Sequence, residues 1–318
     1  MHRSTMVRAS DEVEKPVDRN SSNSVAHMRI DTASLLENYD RVPFGFEHDL
    51  HTLPMFQPEA LERLARRFTD AGRGYFIAQS APAPGTPFYS VPYGGFTPSH
   101  ALENLDQFPL RILLKRPENV EPAFRELLDT LFSQVTEMRG GLGNEQVMRL
   151  ESAVFISAAA ATTPIHFDPE IAFFSQIEGL KEYHVYSPAD AREQELERFY
   201  IRGVIDIGRL EMAQRDATRE QVFHLQPGMG FHQPQNSPHW VRTAGARSVS
   251  YSVVYQTDAT RRLGRIRAFN HYERLFGMKP APPGVHPWVD KAKAEAMQGV
   301  IPIRKAVGTV LSKVRREA

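Results

Sequence analysis

No cysteine occurs among the 318 residues, which removes disulfides, thiolate metal sites and cysteine nucleophiles together. Histidine, aspartate and glutamate are left as the side chains able to hold a metal. A chain without cysteine tolerates either redox setting, so this absence leaves the compartment open. An excess of charge is missing too: Lys+Arg and Asp+Glu both number 38, and no net field draws the molecule toward nucleic acid or an anionic membrane. No apolar run reaches the roughly 18 residues that a spanning helix needs. The N-terminus lacks the short apolar core of a secretory signal, and the expected location is the cytoplasm. What is present is ordinary core material, 41% hydrophobic residues, enough for one or two domains.

Residues 1–28 are polar and of mixed charge, and cannot bury enough apolar area to offset their ordering entropy, so a disordered leader is expected. After Pro58, Leu61, Leu64, Ala65 and Phe68 recur at helical spacing until Gly72 and Gly74, and Tyr75–Ile77 reads as a strand. Residues 81–98 carry five prolines and three glycines among Phe88, Tyr89, Tyr93 and Phe96, the composition of a loop and a candidate lid. Residues 121–132 form a second amphipathic pattern. Between Ser152 and Tyr255 the texture turns to short strands at 153–157, 171–177, 180–186, 221–225 and 248–255, with Glu178-Gly179 suited to a tight hairpin. Helical periodicity returns over 261–276 and, after the break at 280–284, from Val289 onward. There Val307, Val310, Leu311 and Val314 make one stripe, with Arg304, Lys305, Lys313 and Arg315 elsewhere. Such a helix is expected to pack on its own domain or on a twin in a homodimer rather than to lie on a membrane.

The stretch Thr163-Pro164-Ile165-His166-Phe167-Asp168 holds the chemistry of most interest. Two neutral nitrogens and one carboxylate on one side of a metal leave the opposite positions open, as in non-haem Fe(II) oxygenases. His-x-acid pairs are common, and His271-Tyr272-Glu273 serves as an internal control. It falls in a helical pattern, where residues two apart point about 200° from each other around the axis and cannot share a metal. His166 and Asp168 lead into strands, where residues two apart face one side. A third ligand must come from a strand folding back. His239 ends a bend stiffened by Pro234 and Pro238, and His232, in the strand before it, competes for the role. Lys181 shares a strand face with Tyr183 and Val185. A lysine among apolar neighbours is costly unless an anion meets it, and a dicarboxylate cofactor, also met by the Thr163 hydroxyl, would supply one.

Taken together, Thr163-x-x-His166-x-Asp168, Phe173-Phe174-x-Gln176-Ile177-x-Gly179-x-Lys181, the Pro227-Gly228 turn, Pro234 and His239 resemble the JmjC and cupin-like hydroxylases, a branch of the Fe(II)/2-oxoglutarate oxygenases, and in general look their bacterial cupin-like members. The resemblance implies a mainly β core with flanking helices: a double-stranded β-helix (jelly roll) over residues 29–258, then a C-terminal helical region, 259–318, for packing or dimerisation. It implies His166, Asp168 and His239 as ligands of Fe(II), with Thr163 and Lys181 holding 2-oxoglutarate. Ser252 falls about where the family has a cofactor-contacting asparagine, and Ala172 stands in place of another. Met229 occupies a turn position where the family has aspartate. Asp168 rather than glutamate, and the lack of a reader domain, favour hydroxylation over demethylation. O2 and an unidentified primary substrate (a small molecule, peptide or protein side chain) would complete the reaction. The alternatives are a cupin metalloenzyme that does not use 2-oxoglutarate, which would place a histidine at Asp168, and a non-catalytic cupin-fold binding protein, which would have lost a ligand.

Overall fold

The structure, a computed structural model, describes residues 27–79, 81–86, 94–202 and 215–300. The stripe at 304–315, residues 87–93 of the candidate lid and nearly all of the leader lie outside the described residues. Met28 itself sits in a strand.

Two helices carry the stripes that the sequence displays. In α1 (Thr32–Asn38) the Asp31 carboxylate caps the first turn by accepting from the Ser34 amide. Helix α2 (Pro58–Ala71) starts on a proline at N1, buries Leu61, Leu64, Ala65 and Phe68, and stops where Gly72 turns left-handed at φ 62°. A short α3 (Pro98–Glu103) follows the proline-rich loop, and α4 (Pro122–Met138) buries Phe124, Leu127, Leu128, Leu131 and Val135. Later come α5 (Glu193–Arg202), α6 (Asp258–Leu275) and a helical stretch over 287–300. Thr257 and Thr260 cap α6 reciprocally. Among the described residues no helix is long and apolar enough to cross a membrane.

The strands are β1 (Met28–Arg29), β2 (Phe44–His48), β3 (Tyr75–Ala78), β4 (Arg111–Lys115), β5 (Val147–Ser157), β6 (Thr162–His166), β7 (Ile171–Val185), β8 (Gln221–Leu225), β9 (Met229–Gln233) and β10 (His239–Thr257). All pair antiparallel, in the order β1-β2-β9-β7-β10-β5-β4-β3, with β6 joined to β10 and β8 to β7. The sheet folds over itself as a double-stranded β-helix because its two longest strands bend. One half of β7 pairs with β9 and the other with β8, while β10 runs beside both halves.

That bend corrects the expected hairpin at Glu178-Gly179. β7 does not reverse there: Glu178 faces Val249 and Leu180 faces Ala244 of the same partner strand, and the intervening residues of β10 bulge out. Gly179 supplies the corner at φ 71°, and a Cβ on it would sit 2.1 Å from the Arg247 carbonyl oxygen. A glycine serves a kink and a turn equally well, so only the pairing partner could distinguish them.

Alternation along β10 divides the interior in two. Val249, Tyr251, Val253 and Tyr255 point outward into the main core, where Tyr251 meets Phe56 and Phe124, and Tyr255 meets Phe132. Ser248, Ser250 and Ser252 face the opposite way, into the barrel. The barrel's own apolar floor is Phe174, Tyr183, Val185, Leu225 and Phe231. A polar row on one face and a continuous apolar row on the other gives the barrel an inner surface that can take a polar ligand.

Candidate metal centre and anion pocket

Antiparallel pairing of β6 with β10 sets His166 opposite His239, their ring centroids 4.1 Å apart. Asp168 lies two residues beyond the end of β6 rather than within a strand, and its Oδ2 is 3.7 Å from His239 Nε2. One ligand atom from each of the three lies within 4.8 Å of the others, the single such group of metal-capable side chains among the described residues. His271 and Glu273, the control pair, are on α6 and take no part; Glu273 accepts from Lys293 Nζ.

Both imidazoles are set by their own backbone. His166 Nδ1 lies 2.9 Å from the Pro164 carbonyl and His239 Nδ1 lies 3.0 Å from that of Ser237. A carbonyl can only accept, so each Nδ1 carries the hydrogen and each Nε2 keeps its lone pair. Burial depresses both pKa values, with Asp168 opposing; that of His239 falls to about 3, the neighbouring His166 adding to the effect of burial. The rings are therefore neutral at ordinary pH, the form a metal binds. His166 and His239 are buried while Asp168 is partly exposed, so the group opens to one side. These donors fit a divalent first-row metal.

The bend before His239 is held by residues the sequence reading missed. The Gln235 amide donates to Asp40 Oδ1 at 2.7 Å, and the Gln235 side chain donates to the Pro169 carbonyl and to Tyr200 Oη. Tyr200 Oη donates to Asn236 Oδ1, and the Asn236 amide donates to the Asp168 carbonyl at 2.8 Å. Asp40 is half-buried, and the desolvation of its carboxyl raises the pKa to about 6. Tyr200 in turn packs on Gly264 of α6, where a Cβ would stand 2.4 Å from its ring. No local pattern could have linked Asp40 to a bend some two hundred residues away.

His232 has a different job from His239. Its Nδ1 donates to the Ala172 carbonyl at 3.2 Å, its Nε2 accepts from the Asp40 amide at 3.0 Å, and its ring lies between Tyr39, Phe44 and Phe173. Both nitrogens are used, leaving no lone pair for a metal. His232→Ala removes the side-chain partner of a buried carbonyl and of a half-buried amide, at up to about 1–3 kcal/mol each. Urea unfolding should show that loss while metal affinity stays at the wild-type value. Loss of metal binding with unchanged stability would reverse the roles of the two histidines.

Deeper in the barrel, Lys181 is buried and its Nζ donates to Ser250 Oγ at 2.9 Å. Ser250 Oγ donates to Gln176 Oε1, and Gln176 Nε2 is committed to Ser248 Oγ and to the Glu178 carbonyl. This one-way chain fixes the ammonium. Burial first, and the like charge of Arg111 second, lower its pKa to about 7. Thr163 is turned toward the barrel side by a bulge. Two steps along β10, from His239 to Val241, correspond to three along β6, from His166 to Thr163, and the extra residue turns both side chains to one side. Arg111 Nη1 donates to Thr163 Oγ1. Ser252 is buried on the same face of β10, opposite Phe174. At the rim, Arg149 bridges Glu170 and Glu151 at 2.6 Å each. Trp240 is on the outer face, stacked on His184 at 3.6 Å and donating to Glu220.

No protein-family model matches the chain, and neither does any curated protein sequence. Solved structures do. The X-ray structure of Escherichia coli YcfD matches with a TM-score of 0.50 at 15% identity, covering 86% of this chain and 68% of that one. Two further structures of the same protein, described as a ribosomal oxygenase, one of them in complex with cobalt and 2-oxoglutarate, give TM-scores of 0.49 at 16% identity over 86% and 67%. At these identities the likeness is one of fold, the jelly roll with its flanking helices.

Proposed function

We propose that the protein is an Fe(II)- and 2-oxoglutarate-dependent oxygenase, a hydroxylase of a small molecule, peptide or protein side chain. The observation that carries this reading is the meeting of His166, Asp168 and His239, donor atoms within 4.8 Å, in a barrel whose strands also bury Lys181. The shared fold with the E. coli oxygenase agrees with it. Iron bound there would supply O2 activation coupled to oxidative decarboxylation of the 2-oxo acid.

The residues divide that work. His166 and His239 present neutral nitrogens and Asp168 balances part of the metal's charge. Lys181, oriented by Ser250 and Gln176, would take the distal carboxylate, with Thr163 beside it and Ser252 along the wall. Tyr183 stacks on His239 at 5.2 Å and donates to Gln233, which stiffens the ring and keeps water from its inner side. A non-catalytic cupin-fold protein has no use for a ligand set this complete, and histidine does not stand at Asp168.

The test is a screen for succinate release that depends on Fe(II), 2-oxoglutarate and O2 and rises with candidate substrates. A metal-loaded protein that binds no 2-oxoglutarate at millimolar concentration sinks the reading. Two further parts belong to it. The C-terminal helical region leaves Leu275, Phe276, Met278, Val285, Trp288 and Val289 exposed, Trp288 to 85%, and a second copy of the chain would cover them in a homodimer. Sedimentation that finds only monomer at tens of micromolar removes that part. Cytoplasmic placement is tested by fractionating cells that express the tagged chain.

A further inference from the structure

Building on the keto-diacid reading, we infer that Gln233 is a ligand-binding residue whose amide nitrogen, Nε2, donates to a carboxylate oxygen at the metal-chelating end of the 2-oxo acid. Strand register gives its direction. β9 pairs with β7 so that Gln233 lies opposite Ala172, and Ala172 lies opposite Val254 of β10. Val254 continues the inward alternation of Ser248, Ser250 and Ser252, so Gln233, Ala172 and Val254 form one row on the barrel side. A hydrogen bond across the barrel agrees: Tyr183, on the second half of β7, donates from Oη to Gln233 Oε1 at 2.7 Å. The Tyr183 ring stacks on His239 with centroids 5.2 Å apart, so the Gln233 amide is one side chain away from a metal ligand. Gln233 is 1% exposed, and its Nε2 has no hydrogen-bond partner among the described residues.

With the carbonyl oxygen held by Tyr183, the NH2 group is turned the other way and has two hydrogens to give, so its match is an acceptor. A buried donor left unspent costs about 1–3 kcal/mol. A methionine or leucine there would extend the apolar floor of Phe174 and Phe231 without that cost. Space for a ligand lies alongside: Ala172 offers only a methyl group, and Val254 is half-buried although it faces the barrel. Gln233 and Lys181 serve opposite ends of that ligand. Lys181 is bonded to Ser250, whereas Gln233 stands level with Val254, four residues along β10 toward the rim, where Gln256 pairs with Arg149. A keto-diacid whose distal carboxylate meets Lys181 presents its other end to Gln233, and an amide donating to that anionic end makes a charge-assisted bond. If Gln233 merely braced Tyr183, deleting the Tyr183 hydroxyl would cost as much as deleting the amide.

The experiment loads the full chain with Zn(II), which permits binding without turnover, and titrates it calorimetrically with 2-oxoglutarate. Gln233→Met has similar length and no amide. It should weaken 2-oxoglutarate about 10- to 100-fold, the worth of a hydrogen bond to a charged group, while Zn(II) affinity measured beforehand stays within about threefold. Tyr183→Phe, which keeps the stacked ring and leaves Gln233 in place, should cost less than Gln233→Met. A second readout is the visible charge-transfer band expected of Fe(II) with saturating 2-oxoglutarate in the absence of oxygen. A donor on the chelating end lowers the energy of the orbital that receives the electron. The band should therefore move to shorter wavelength in Gln233→Met, whereas Lys181→Met, acting at the far end, should leave it in place. Wild-type affinity in a folded Gln233→Met, an equal loss in Tyr183→Phe, or an unmoved band in Gln233→Met overturns the inference and leaves the oxygenase reading standing. A wild type that binds Zn(II) but no 2-oxoglutarate overturns the oxygenase reading together with this one.

Discussion

Asp168→Ala abolishes the weak visible charge-transfer band that Fe(II) and 2-oxoglutarate are expected to give together without oxygen, and His166→Ala does the same, whereas His271→Ala leaves it intact. The reason is geometric. Both imidazoles are already neutral, buried and turned by backbone carbonyls so that Nε2 is available, and Asp168 Oδ2 stands 3.7 Å from one of them. Removing a ligand from a three-ligand set should lower iron affinity by more than about 100-fold, since even the outer partners of metal ligands are worth 10- to 100-fold. Folding should hardly change, because Asp168 is partly exposed and the bend that supports it is tied through the Asn236 amide to the Asp168 backbone, which alanine retains. An Asp168→Ala protein that keeps the band, or a His271→Ala protein that loses it, overturns the ligand assignment.

Lys181→Met should separate ligand binding from stability. Affinity for 2-oxoglutarate, measured directly or as its Michaelis constant, should fall about 10- to 100-fold or more with the loss of a charge-assisted contact, while iron binding is unchanged. The unliganded variant should be no less stable than wild type, because a buried cation with no ion pair among the described residues is replaced by a thioether of similar reach among Phe174 and Tyr183. The pH dependence has a definite sign. Burial and Arg111 depress the Lys181 pKa from its ordinary 10.5 to about 7. Across that window the unfolded chain binds a proton that the native chain does not, so this group adds stability as pH rises, up to about 1.4 kcal/mol per pH unit, and loses it as pH falls toward 7. Chemical denaturation between pH 7 and 9 should show a shallower rise for Lys181→Met than for wild type. Equal 2-oxoglutarate affinity in the two proteins would mean that the ammonium meets no cofactor carboxylate.

Much of the architecture could be read along the chain because it rests on short-range periodicity. The stripes of α2 and α4 are local, as are the alternating segments at 153–157 and 171–177, and all appear where expected. The Glu178-Gly179 corner was misread for a reason of the same kind. Local sequence names the residue able to take a positive φ, but whether the chain then reverses or continues is decided by β10, some seventy residues downstream. Of the site, the ordered spacing of Thr163, His166, Asp168, Lys181 and His239 was legible. The choice between His232 and His239 was not settled by composition, since either histidine could reach a metal from a strand, and it is the Asp40 amide and the Ala172 carbonyl that occupy both nitrogens of the former.

The sequence by itself determined which chemical groups the chain can offer: no thiol, an imidazole two residues from a carboxylate, and a lysine on an apolar face, each a property of residue type and near-neighbour spacing. Only the tertiary structure decided where these groups meet. It folds β6 against β10, adds the bulge that turns Thr163 inward, and brings Arg111 from a strand some fifty residues upstream to the side of Thr163. Those encounters depend on register between strands distant along the chain. Register is fixed by burial of whole faces at once, so no local pattern carries it.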